Sequence, residues 1–316
     1  MWHSAALASL RARCAARALA HRLPTAAPAG PARTSRGLFA SAAAAGIAGV
    51  AGAAVCDEPQ KPAEAWNRRT PLPPRPSLTV LRPEIDARLD STVLMRFDPP
   101  EHLRTGAAVV ILPGGNYESC STTGEGQQVA AWLASLGVTA FVLRYRLISE
   151  GHYWPAPLED LEVAMRLIRT NATKLRVDRL RVGVLGFSAG GHLAGMAAAH
   201  TDDEVRPNAQ ILVYPSIDVT KPEWWPWKAT YGFAPPEDSP HLLVTAAAPP
   251  AFLTVSKEDG LCTAEENTEP YAQRLKELGV DVEHVVRSMG KHGHGMKPQW
   301  TEPCKDWLVK MGWAVA

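Results

Sequence analysis

The chain has 316 residues, and 33 Lys and Arg against 32 Asp and Glu leave a formal net charge of +1. That balance, without a basic patch interleaved with aromatics, argues against nucleic acid as a partner. Five cysteines, none in Cys-x-x-Cys spacing, argue against a disulfide framework.

Residues 1–56 contain no Asp or Glu, while Arg11, Arg13, Arg17, Arg22, Arg33 and Arg36 are spread among alanines. This composition resembles an organelle-targeting presequence, mitochondrial or plastid, rather than a folded domain. Within it, residues 38–55 form an uncharged run rich in Ala and Gly, only weakly hydrophobic for a bilayer span. Three readings stay open for that run: a membrane anchor, a second sorting signal, or low-complexity linker. Residues 57–76, with several prolines and charges, read as an extended connector to a single domain over residues 77–316.

From there, short apolar runs recur at 79–82, 91–97, 107–112, 138–144, 181–187, 209–214, 251–256 and 281–287. Helical patterns separate most of the later ones, at 124–136, 193–199 and 264–278. Leu158, Leu161, Ala164, Met165 and Ile168, spaced by three and four, give one apolar helix face. Alternating strand and helix predicts an α/β fold, with a mainly parallel central sheet and helices on both faces. Residues 216–250 interrupt the rhythm and read as a small cap insertion between strands 6 and 7. Trp224, Trp225 and Trp227 in it, with Tyr117, are candidates for contact with a sugar or acyl chain; packing of the tryptophans onto the body is the competing reading.

The most informative run is Gly186-Phe187-Ser188-Ala189-Gly190. Flanked by a strand and a helix, Gly-x-Ser-x-Gly is a nucleophile elbow, which raises the serine hydroxyl above the sheet. A serine needs a base, an orienting acid and an oxyanion hole, and the elbow's chain order is Ser, acid, His. The strand at 251–256 leads into Glu258 and Asp259; Asp259 is the candidate acid and Glu258 the other choice. After the last strand come His292 and His294, with His292 the candidate base and His294 in reserve. Two histidines one residue apart can suggest a metal, but no third and fourth ligand stands at recognisable spacing. Backbone N–H groups of Gly115 and Asn116, after the strand at 107–112, and of Ala189 are the candidate oxyanion donors. Cys120 and Cys262 lie near these loops in sequence; Ser188 has the better claim as nucleophile.

Taken together, Leu112 to Tyr117 (LPGGNY), Ala140 to Arg146 (AFVLRYR), Pro155 to Leu158 (PAPL), Gly186 to His192 (GFSAGGH) and His292-Gly293-x-Gly295 resemble the acetylxylan-esterase-like branch of the α/β-hydrolases. The resemblance runs from about residue 77 to the C-terminus. It implies a serine carboxylesterase for acetyl or other small acyl groups, with Ser188, Asp259 and His292 at the positions of nucleophile, acid and base. The chain departs from the pattern at Asn116, where many members carry a third glycine, and at Thr263-Ala264, in place of a proline. The expected partner is a small-molecule ester, and the chemistry requires no metal or organic cofactor. Two other readings remain: an amidase or peptidase using the same triad, and a non-catalytic ligand-binding protein on a hydrolase fold.

Overall fold

The computed structural model describes the backbone of residues 77–80 and residues 92–220 and 238–316 in full. The expected presequence, the run 38–55, the connector, and Trp224, Trp225 and Trp227 lie outside the described residues. Eight strands form one sheet: β1 (Ser77–Val80), β2 (Val93–Phe97), β3 (Ala108–Leu112), β4 (Thr139–Arg144), β5 (Val182–Phe187), β6 (Gln210–Val213), β7 (Ala251–Ser256) and β8 (Val282–Arg287). Their order is β1-β2-β4-β3-β5-β6-β7-β8. Pairs β1–β2 and β2–β4 are antiparallel, and every other pair is parallel. The first strand lies two residues before the expected 79–82.

Helices cover both faces. They are α1 (Gln128–Ser135), α2 (Ala156–Thr170), α3 (Ala189–Ala198), α4 (Glu269–Glu277) and α5 (Pro298–Lys310). Because side chains alternate across a strand, Ala108, Val110 and Leu112 pack with α2, α3 and α4, while Val109 and Ile111 pack with α1 and α5. Strands β3 and β5 to β7 are buried along their whole length, which is why they read as unbroken apolar runs. The expected apolar face of α2 is buried, and its Asp160 is also buried, paired with Arg146 just past β4. The Arg146 Nε lies 2.9 Å and 3.0 Å from the two Asp160 oxygens, and the Arg146 backbone N–H donates to the same carboxylate at 2.8 Å. Loss of Arg146 would strand the buried Asp160 charge, a cost of about 3–5 kcal/mol, while Arg146 itself has a second carboxylate partner in Glu159 at 2.9 Å. This pair fixes α2 against the end of β4.

Two expected helices start differently: each opens as a π-helical turn, Thr122–Gln127 before α1 and Ala264–Thr268 before α4. Helix α5 was not anticipated, because Pro298 and Pro303 mask its pattern. Pro298 occupies the first turn, where its missing N–H costs nothing, and Trp300, Cys304, Trp307 and Leu308 supply the buried face.

The sheet order sets the site. From β3 the chain steps outward to β4, then returns past β3 to β5, so β3 and β5 flank a switch point. A crevice opens there, at the C-terminal ends of the strands. Leu112 is in register with Gly186 and Phe187 with Val213. The loops after β3, β5 and β6 therefore leave the sheet side by side.

Candidate active site

Strand β5 ends at Phe187 and α3 begins at Ala189, so Ser188 alone makes the turn, with φ 51° and ψ −117°. A non-glycine residue held there costs about 1–3 kcal/mol, which the packing around it must offset. The turn is tight enough that a Cβ on Gly186 would lie 2.1 Å from the Gly190 carbonyl oxygen, and one on Gly190 2.0 Å from that of Leu112. Both positions admit only glycine.

Ser188 Oγ lies 2.9 Å from His292 Nε2, and His292 Nδ1 lies 2.8 Å from Asp259 Oδ2. Asp259 stands three residues past β7 and is buried, 4% exposed. Its other oxygen accepts the N–H groups of Leu261 (2.9 Å) and Cys262 (2.8 Å), which fixes the carboxylate plane. With Asp259 as acceptor, His292 carries its proton on Nδ1 and offers Nε2 to the serine O–H. Burial alone would lower the His292 pKa; the bond to Asp259 and contact with the Cys262 thiol outweigh it and raise it above the ordinary histidine value.

Glu258 and His294 are not part of this chain. Glu258 accepts the Ser256 O–H at 2.6 Å and the N–H groups of Met289 (3.1 Å) and Gly290 (3.3 Å), so it braces the base of the histidine loop. The Ser256 bond first, then Ser288 and these N–H groups, hold its pKa down at about 2. His294 Nδ1 bonds the Gly295 carbonyl at 3.0 Å, and its ring stands edge-on to Tyr214, 4.5 Å between centroids. Burial lowers its pKa to about 4.

The loop after β3 takes three successive residues through positive φ: Gly115 at 133°, Asn116 at 57° and Tyr117 at 59°. Such turns gather backbone N–H groups into an anion-binding concavity. Asparagine tolerates the left-handed region better than most residues, so Asn116 fits this turn. The Gly114 N–H is already engaged, donating to Glu125 Oε2 at 2.7 Å. A Cβ on Gly114 would come within 3.1 Å of the Ser188 Cβ, so this loop abuts the nucleophile. Ala189, the first residue of α3, adds an N–H at a helix N-terminus.

A family model described as the α/β-hydrolase fold matches residues 109–296. The chain belongs to the α/β-hydrolase family. A crystal structure of an acetyl ester-xyloside bifunctional hydrolase from Caldicellulosiruptor lactoaceticus superimposes with a TM-score of 0.67 at 30% identity, covering 78% of this chain and 100% of that one. Among curated relatives, an acetylxylan esterase from Xylanibacter ruminicola is 30% identical over 201 residues, 60% of this chain and 42% of that protein. Ethyl acetate hydrolase from Pseudomonas putida is 27% identical over 210 residues, 57% of this chain and 64% of that protein. The chain thus spans less than two thirds of either curated relative.

Several residues of this α/β-hydrolase site carry more than the sequence suggested. Tyr117, a candidate for substrate contact, is 1% exposed, with its hydroxyl 2.7 Å from His192 Nδ1. Its ring is part of the core rather than a substrate-facing surface, because the left-handed turn directs it inward. His192 Nε2 lies 2.7 Å from the Asp238 carbonyl oxygen, which can only accept, so Nε2 carries the proton and Nδ1 accepts the Tyr117 O–H. Burial lowers the His192 pKa to about 4 and keeps the ring neutral. The Trp154 indole N–H donates to the Asp238 carboxylate at 2.8 Å, a second tie to the segment entering β7.

Two residues with no role read from the sequence sit under the site. Glu125, 9% exposed, accepts the Gly114 N–H with one oxygen and the Tyr214 O–H (2.7 Å) with the other. Tyr214 stands directly after β6, where functional groups gather at strand ends, and that position was the available signal. Cys262 approaches the triad, its sulfur 3.3 Å from the Ser216 hydroxyl. The cysteines at 120, 262 and 304 are free thiols.

Proposed function

We propose that the chain is a serine carboxylesterase that cleaves short-acyl, acetyl-type esters through an acyl-enzyme on Ser188. The unbroken path from Asp259 through His292 to the Ser188 hydroxyl, beside a loop with three successive residues at positive φ, carries this reading. His292 Nε2 takes the serine proton as Oγ attacks the ester carbonyl carbon, and the carbonyl oxygen becomes an oxyanion held by the N–H groups of Gly115, Asn116 and Ala189. Collapse breaks the bond to the leaving alcohol, which receives the proton from His292. Water then gives a proton to His292 and attacks the acyl carbon; the second collapse returns the proton to Ser188 and releases the acid. Asp259 accepts from His292 Nδ1 throughout, fixing the tautomer and stabilising the imidazolium.

The names of the relatives, an acetylxylan esterase and an ethyl acetate hydrolase, support a small acyl group. Trp224, Trp225 and Trp227 are proposed to contact the sugar or acyl chain of the substrate. Hydrolysis of p-nitrophenyl esters from acetate to octanoate tests the reading, with Ser188→Ala alongside. Rates that fall with acyl length and vanish in the variant are expected; flat or rising rates would remove the short-acyl assignment, and no turnover by folded protein would remove the esterase. For residues 1–56 we propose organelle targeting, mitochondrial or plastid, with residues 38–55 a candidate for membrane association. Import of a reporter fused to this segment into isolated organelles tests it, and a reporter left outside both would contradict it.

A further inference from the structure

The histidine loop and the oxyanion loop come from opposite ends of the sequence, yet one buried carboxylate joins them. Glu125 Oε2 accepts the Gly114 N–H at 2.7 Å, and Oε1 accepts the Tyr214 O–H at 2.7 Å. The Tyr214 oxygen in turn accepts the Gly295 N–H at 3.2 Å, three residues past His292. The Tyr214 ring stands edge-on to the His292 ring, 5.0 Å between centroids. We propose that Glu125 is a positioning residue for ester cleavage, holding the oxyanion loop directly and the histidine loop through Tyr214.

This assignment rests on the serine esterase reading above. The hydrogen-bond inventory gives it direction. Gly114 and Gly295 can only donate from nitrogen, and a protonated Tyr214 must pass its proton to Glu125 once it accepts from Gly295. Both Glu125 oxygens are therefore acceptors, as an ionised carboxylate requires. Burying a carboxylate in an apolar protein is costly unless it is hydrogen-bonded, and each Glu125 oxygen has a donor. Burial raises the Glu125 pKa, while the Tyr214 and Gly114 bonds and the His292 charge oppose that rise. Its position explains a local feature of the chain as well: Gly114 has no room for a side chain, because a Cβ there would meet Glu125 Oε2 at 2.8 Å. The π-helical turn Thr122–Gln127 delivers Glu125 inward, where a regular start to α1 would shift the register by one residue.

Glu125→Gln keeps one acceptor oxygen for Gly114 but turns an NH₂ group towards Tyr214, which removes the acceptor of the Tyr214 O–H and so breaks that donated link. Tyr214→Phe breaks the same link from the other side and keeps the ring. The test is steady-state hydrolysis of p-nitrophenyl acetate by wild type, each single variant and the double variant, with thermal unfolding of all four. On the order of a tenfold to hundredfold loss in kcat is expected for Glu125→Gln, with KM changed little, since misplaced oxyanion donors and base act on the transition state. In the Glu125→Gln background, Tyr214→Phe is expected to cost less than it does in wild type, because the bond the two residues share is already gone and only the Gly295 contact remains to be lost. Effects that multiply, or a loss carried by KM alone, would overturn the assignment, as would a Glu125→Gln kcat near wild type. Wild type without turnover would instead overturn the esterase reading, so the two failures are distinct.

Discussion

Two histidines, the buried His192 one helical turn from Ser188 and the partly buried His292 on a separate loop, show what makes an imidazole a base. His292 and His192 each have both ring nitrogens within 2.9 Å of a partner. His292 bonds a carboxylate on Nδ1, and this raises its proton affinity against the effect of burial. His192 bonds a backbone carbonyl on Nε2 and a phenol on Nδ1; with no carboxylate in either of these bonds, burial lowers its pKa to about 4. One ring is set to exchange a proton, and the other serves as a neutral strut between Tyr117 and the chain at Asp238. Burial is common to both, so the anionic partner makes the difference.

The comparison breaks most sharply at the base itself. His292→Ala is expected to lower kcat by roughly 10⁴–10⁶-fold with the fold intact, measured by ester turnover and circular dichroism. Asp259→Asn keeps a partner for the ring but removes the charge, and a loss of about 10⁴-fold is expected. The acid limb of its kcat/KM profile is expected to move to lower pH, because without the carboxylate burial is opposed only by the contact with Cys262. A limb that stays in place would mean that Asp259 does not set the His292 affinity.

His192→Ala, by contrast, is expected to act on stability. It leaves the Tyr117 hydroxyl and the Asp238 carbonyl without their buried partner, a loss of about 1–3 kcal/mol in urea unfolding, with kcat within about tenfold of wild type. The two histidines also pull stability in opposite directions with pH. Since the folded His192 pKa is depressed, the unfolded chain binds more protons between about pH 6.5 and 4, and stability falls with acid by up to about 3 kcal/mol. The folded His292 pKa is raised, so its contribution is complete below the ordinary value near 6.5 and is lost as pH rises through the folded value. Urea midpoints at pH 4.5 and 7 are expected to differ less in His192→Ala than in wild type; an equal difference would remove His192 from this account. The smallest effect belongs to His294→Ala, expected to leave kcat within about threefold. If that variant loses turnover and His292→Ala keeps it, the base is His294.

Much of this was legible because periodicity and chain order carry it. All eight strands were visible as apolar runs, and the order Ser188, Asp259, His292 follows from the elbow's position. Glu125 was not legible: a charged residue between Gly124 and Gly126 reads as exposed, and only the π-helical turn reveals that it points inward. Tyr214 and Tyr117 look like ordinary strand-end and loop aromatics until their hydroxyl partners, distant in sequence, are known. Helix α5 was hidden by its two prolines. Glu258 and Asp259 could not be separated by spacing alone; the direction of each side chain does so.

The most direct test is reaction of the full chain with a fluorophosphonate, with the adduct located by mass spectrometry in wild type, Ser188→Ala and His292→Ala. The account predicts one adduct per chain, on Ser188, absent from Ser188→Ala and formed far more slowly in His292→Ala. No adduct on folded wild type, or an adduct on another residue, would contradict it.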